Sequence, residues 1–196
     1  AREIFNTHGI QITLTKLAEL MNTTLGRLTH HFNNKDMLFI AIARDYEKKL
    51  AEMRGNRNNE NISMGTFINR ASEVMDLQYE YRCAMRYIVS SLKGGEEIKT
   101  HLQETYMNSC ENIIRTIEAH VNSGSLQPVI LSGEVYEIFL FQLTNLFTNW
   151  VINLELYDVN KAYAEVKPIY LKGIVYIFLP FLTAQGKQEL EQNGIF

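Results

Sequence analysis

The sequence predicts an all-α fold, with an N-terminal three-helix head carrying a helix-turn-helix and a larger helical domain behind it. Three observations predict this. Chain breakers are scarce, with 11 Gly and 3 Pro in 196 residues, which favours long helices over a turn-dense β fold. Between turn signals, apolar residues recur at three- and four-residue spacing. Apolar residues make up 46% and charged residues 21%, the balance of a folded globular chain, so wholesale disorder is excluded.

The elements follow in order. A first helix is predicted from Ala1 to His8, ending at Gly9 as a left-handed cap. A second starts from an N-cap at Thr13 and packs through Leu14, Leu17, Ala18 and Met21. Asn22 falls where the following turn wants a left-handed residue, which Asn tolerates better than most. Thr24 caps a third helix with Leu28 and Phe32 facing inward. A longer helix is capped by Asn34, with Met37, Leu38, Ile40, Ala41, Tyr46 and Leu50 as its stripe. The polar, Asn-rich stretch from Gly55 to Asn61 is the best internal boundary, so residues 1–50 are assigned to the head and 51–196 to the second domain.

Beyond it, Met64, Phe67, Ile68, Ala71, Met75 and Gln78 form one stripe, and residues Tyr81 to Leu92 another, broken by Gly94-Gly95. Ile98, Leu102, Tyr106, Ser109, Ile113, Ile117 and Val121 trace a long helix ending at Asn122-Ser123-Gly124. Two last helices are expected from about Gly133 to Leu156 and from Asn160 to Thr183. Both are apolar on nearly every side, and a helix apolar all round must be covered all round. In a chain this small a second subunit is the natural cover, which predicts a homodimer through the last two helices.

Several functional classes lack support. Ile138 to Leu154 is a run of 17 uncharged residues, but six Gln, Thr and Asn residues interrupt it. Gly173 to Gly186 is 14 residues with Pro180 inside. A bilayer span needs about 20 mostly apolar residues, so neither reads as a membrane anchor. Cys83 and Cys110 cannot form a disulfide framework, and the opening residues lack the pattern of a secretory signal, which together point to the cytoplasm. There is no Gly-rich phosphate loop, HExxH, GxSxG or CxxC, so neither a cofactor nor a catalytic activity is expected. His30-His31 makes a poor metal site, because adjacent helical residues point about 100° apart.

The charge is uneven. Residues 1–50 hold seven Lys/Arg against five acids, net +2, in a chain of net charge −3. A polyanion is therefore best met by the N-terminal quarter. Residues 13–35 read as helix, short turn, helix, and the exposed early face of the second helix is Leu25, Gly26 and Arg27. A small residue and a long cation at the start of a helix suit entry into a major groove about 12 Å wide.

The offsets of Ala1-Arg2-Glu3-Ile4-Phe5, Gly9, Thr13, Leu17-Ala18, Thr24-Leu25-Gly26-Arg27-Leu28-Thr29-His30-His31-Phe32 and Asn34-Lys35-Asp36-Met37-Leu38 resemble the N-terminal motif of the tetracycline-repressor (TetR) family of transcriptional regulators. The resemblance covers residues 1–38; the rest is similar only in helical make-up, length and Trp150 in the penultimate helix. It implies that Thr24, Leu25, Gly26 and Arg27 face base edges, with Arg27 the candidate for a guanine. It places Thr15, Thr29, His30 and His31 along the phosphates, and Lys35 on a phosphate beside the next helix's N-terminus. Three positions depart from the family pattern: Thr29 stands where it has Tyr, Asn22 where it has Gly, and Leu25 where polar residues are common.

The resemblance also implies an effector cavity in the second domain, for which Phe67, Met75, Tyr106, Phe147 and Trp150 are the candidate lining. Few charges fall there, so the expected effector is a small, mostly apolar molecule. The reading is a dimeric repressor on a double-stranded, pseudo-palindromic operator, released by that effector. Two alternatives stay open. One is a helical ligand-binding or interaction module that has lost DNA binding. The other is an all-α enzyme with a relic head, which would need a converging acid-base or metal set.

Overall fold

The computed structural model describes residues 1–55, 61–90 and 96–194, with the backbone alone at 88, 89 and 102. The expected linker and the Gly94-Gly95 break fall on residues 56–60 and 91–95, outside the described residues. The described residues are helical, with one isolated bridge between Leu126 and Leu182 and no strand. None of their helices is long and apolar enough to cross a membrane.

The chain divides into two compact units, Ala1–Asn56 with Asp76–Glu104, and Arg57–Met75 with Thr105–Phe196. The first therefore takes in a later stretch of chain as well as the N-terminal quarter. It contains α1 (Arg2–His8), α2 (Leu14–Leu20), α3 (Leu25–His31), α4 (Lys35–Gly55), the last turns of α5 (Met64–Glu80), α6 (Arg82–Ser90) and the start of α7 (Glu96–Asn122). Its core joins Phe5, Leu17, Ala18, Leu28, Leu38, Phe39, Ile42, Ala43 and Tyr46 to Leu77, Tyr81, Cys83 and Ala84. The predicted stripe of α4 lacked Phe39, Ile42 and Ala43. The Phe39 ring lies 4.6 Å from Phe5 and stacks on Tyr87 at 3.8 Å, so this one side chain of α4 packs on both α1 and α6.

The break between α5 and α6 is gripped from outside the pair. Asn6 donates Nδ2–H to the Glu80 carbonyl at 2.8 Å and accepts from the Cys83 amide at 3.0 Å, satisfying a helix end and a helix start with one side chain. Tyr81, predicted to open the second helix, sits in the break itself, fully buried, with its hydroxyl on the Asp45 carboxylate and the Arg2 guanidinium 4.4 Å over its ring.

The second unit holds the start of α5, most of α7, a 3-10 turn Pro128–Leu131, α8 (Gly133–Leu156), α9 (Tyr163–Tyr176), a 3-10 turn Leu179–Phe181 and α10 (Ala184–Gln192). The stripe predicted on α5, Met64, Phe67, Ile68, Ala71, Met75 and Gln78, is buried throughout. The expected helix Asn160–Thr183 is corrected: it stops at Tyr176, and Thr183 caps a further helix instead, its hydroxyl accepting from the Gly186 amide at 3.0 Å. Pro180, without an amide hydrogen, sits in the intervening 3-10 turn.

That last helix docks tightly. A Cβ at Gly186 would lie 2.1 Å from the Ser125 carbonyl oxygen, so the close approach requires glycine. Glu189 accepts from the Met64 amide at 2.7 Å and the Ser125 hydroxyl at 2.8 Å, fastening α10 to the start of α5 and to the turn after α7. In the same unit the Phe67 and Phe139 rings pack edge to face on Phe178, and Phe181 packs edge to face on Phe139.

Candidate nucleic-acid interface

The helix-turn-helix forms as its local signals predict. Thr13 accepts from the Lys16 amide at 3.1 Å, and Thr24 from the Arg27 amide at 3.2 Å, so each hydroxyl satisfies a donor the helix start would otherwise leave open. Asn22 has φ +51°, the left-handed turn expected of it. Leu17, Ala18 and Leu28 are buried, and the smallness of Ala18 lets α2 and α3 cross closely. Met21 is corrected: it ends α2 and is 39% exposed. Gly9 is left-handed only in φ, at +84° with ψ 158°, which turns the chain sharply instead of closing a left-handed cap.

On α3, Gly26 and His30 lie opposite the buried Leu28, with Leu25 and Arg27 flanking them on either side at about 100° per residue. All four are exposed. Arg27 makes no ion pair with any described residue, whereas Lys16 is paired with Glu19 at 3.0 Å. Gly26 has an ordinary helical backbone, and a Cβ built on it meets nothing within 4 Å. Glycine inside a helix costs about 1 kcal/mol against alanine, and here neither the backbone nor the packing requires it.

The other predicted contacts divide. Thr15, His30 and His31 are exposed, the two imidazoles edge to face at 5.3 Å. Thr29 turns its hydroxyl back onto the Leu25 and Gly26 carbonyls at 3.0 and 3.2 Å. Lys35 departs furthest from its expected place. Its ammonium is drawn into the head, donating to the Ile10 carbonyl and, at 3.0 Å, to the Ile12 carbonyl, and burial lowers its pKa. It pins the loop between α1 and α2, because the carbonyls of a turn after a short helix need donors. Asn34 caps α4 through the Met37 amide at 2.9 Å, as expected.

Of the candidate effector residues, Met75, Trp150 and Phe67 are buried and Phe147 is half-buried. Tyr106, the fifth candidate, is 52% exposed and interacts with Cys110. Phe67 joins the Phe178 cluster and meets the His120 ring edge-on at 5.9 Å, while Trp150 stacks on Tyr163 at 5.5 Å. Sequence reasoning missed His120. Its imidazole is 4% exposed, its Nδ1 has no partner, and burial holds its pKa down at about 4, so it is neutral. It also missed Asn6 and the Tyr87 hydroxyl bond to Asp36, both made across more than 50 residues of chain.

No protein-family model matches the chain. A 54-residue segment, 27% of the chain, is 37% identical to the HTH-type transcriptional repressor AcnR of Corynebacterium jeikeium and to that of Corynebacterium diphtheriae. That segment spans less than a third of each repressor, 29% and 28%. Among solved structures, a TetR-family transcriptional regulator from Marinobacter aquaeolei superposes over 98% of this chain and 93% of its own, with a TM-score of 0.82 at 20% identity. A gamma-butyrolactone receptor (ArpA-like protein) gives 0.67 at 13% identity, over 100% of this chain and 89% of its own. SmeT in complex with triclosan gives 0.61 at 14%, over 100% and 90%. The fold of this chain is therefore that of TetR-family regulators.

Proposed function

We propose that this chain is a one-component transcriptional repressor without enzymatic activity, cytoplasmic and dimeric, that holds a pseudo-palindromic operator and lets it go on binding a small, mostly apolar effector. The observation that carries the reading is the outward face of α3, where an unpaired Arg27 stands beside a Gly26 that nothing in the head requires. Arg27 is assigned to a guanine edge, Thr24, Leu25 and Gly26 to neighbouring bases, and Thr15, His30 and His31 to phosphates. Residues 1–50 act as the reading head and 51–196 as the effector and dimerisation domain. The likeness of the head segment to the AcnR repressors supports the assignment.

The dimer is assigned to the outer face of α8 and α9. Ile138, Phe141, Ile169 and Tyr176 are 52 to 68% exposed there at helical spacing. Gly173, in the same stripe of α9, has an ordinary helical backbone and open space at its Cβ. It repeats the logic of Gly26: a helix-weakening residue that lets a neighbouring helix come close, here from a second copy. A two-fold pair presents two reading heads, and these fit successive major grooves when their spacing matches one helical turn, about 34 Å. The effector is assigned to the interior that Phe67, Met75, Phe147 and Trp150 help to form. That a solved neighbour of this fold is a complex with triclosan supports a small-molecule site. Such a ligand shifts the DNA-binding equilibrium only by its differential affinity for the two dimer geometries.

A second reading, a helical module without DNA binding, is favoured by one observation: Lys35 and the Thr29 hydroxyl are engaged inside the head. A mobility-shift assay with the full chain and the DNA upstream of its own gene separates the two. Retention over scrambled DNA, weakening steeply with salt, supports the repressor. Equal binding to both DNAs, or none, overturns it.

A further inference from the structure

We infer that Leu25 reads the methyl group of a thymine, one in each half-site of the bound DNA; the inference rests on the operator reading above. The Thr24 hydroxyl oxygen caps the helix, accepting from the Arg27 amide, which leaves its hydrogen to donate to a base. The Thr29 hydroxyl is bonded back to its own helix. Gly26 has no side chain, and a Cβ there would face open space. What stays outward on the first turn is an unpaired guanidinium at Arg27 and an isobutyl group at Leu25, 41% exposed at the first helical position.

Leu25 lies about 60° around the helix from the buried Leu28 and keeps 41% of its surface exposed. Its apolar side chain can neither donate nor accept a hydrogen bond. In the major groove the one apolar feature any base pair presents is the C5-methyl of thymine. Bringing a methyl against Leu25 removes both from water, and the absent Cβ of Gly26 gives the helix the approach this contact needs. Leu25 and Arg27 flank Gly26 on opposite sides, so one helix turn offers a methyl reader and a guanine reader to neighbouring positions.

The test begins with selection from a randomised duplex library by the full chain. Thymines in the enriched half-site are then replaced one at a time by deoxyuridine, which deletes only the methyl. The expected result is one thymine whose replacement weakens binding about fourfold, the free energy of burying one methyl-sized group. In Leu25→Ala the same replacement changes binding by less than twofold. Leu25→Gln, reselected on the library, is expected to shift preference at that pair toward adenine. If the half-site is enriched but every thymine tolerates deoxyuridine, or Leu25→Ala keeps the full loss, the methyl assignment is overturned while operator recognition stands. If no sequence is enriched, both fall.

Discussion

Gly26 and His120 are two residues whose neighbours, not their identities, decide what they do. Gly26→Ala is expected to raise thermal stability, because alanine gains about 1 kcal/mol in an exposed helix and the new methyl meets nothing within 4 Å. The same change is expected to weaken operator binding. A melting curve and a mobility shift on one preparation check both, and a variant that melts higher while binding DNA unchanged removes the clearance argument. His120 gives a pH dependence. Its pKa falls from an ordinary 6.5 to about 4, through burial first and then Arg70, against the opposing pull of Glu189. Above pH 6.5 both folded and unfolded forms are neutral there and no stability is at stake. As pH falls toward 4 the unfolded chain takes a proton that the folded one refuses, so folding stability drops by about 3 kcal/mol. His120→Leu is expected to flatten that slope in chemical denaturation measured between pH 7 and pH 4.

At the scale of elements, what was legible in the sequence was whatever is settled within one turn of chain. Thr13, Thr24 and Asn34 cap as predicted because a side-chain oxygen three residues before an open amide needs no tertiary help. The α5 stripe and both ends of α8 were equally readable, being matters of spacing and of flanking turns. α10 was not, because its only buried apolar side chain is Leu190 and its hold on the unit comes from Thr183, Gly186 and Glu189 meeting partners about 60 to 125 residues away. The joint between α5 and α6 belongs to the same class. Asn6→Ala leaves the Glu80 carbonyl and the Cys83 amide without their partner, and is expected to cost about 2 kcal/mol in urea unfolding. Asn6→Asp, which keeps the acceptor for Cys83 and loses the donor to Glu80, is expected to fall between the two.

At the scale of the whole molecule, the exposed apolar face of α8 and α9 predicts assembly. Light scattering after size exclusion is expected to give twice the chain mass, and Phe141→Lys with Ile169→Glu to give the single chain mass with helical content retained. A single chain mass for the unaltered protein removes the dimer. Because the operator reading needs two heads, the double variant is also expected to lose cooperative binding to a full site while keeping weak affinity for DNA.

The sequence by itself determined the helical class, the caps and turn of the head, and which short helix points outward, since each depends on residues only a few positions apart. Tertiary structure alone decided that Lys35 turns inward, that Leu77, Tyr81, Cys83 and Ala84 complete the head's core, that Tyr106 is at the surface, and that His120 is buried without a partner for its Nδ1. The reason is range. A cap or an amphipathic stripe is fixed by chain geometry within a turn or two, whereas the burial of an ammonium or an imidazole depends on which distant carbonyls and rings the folded chain brings beside it.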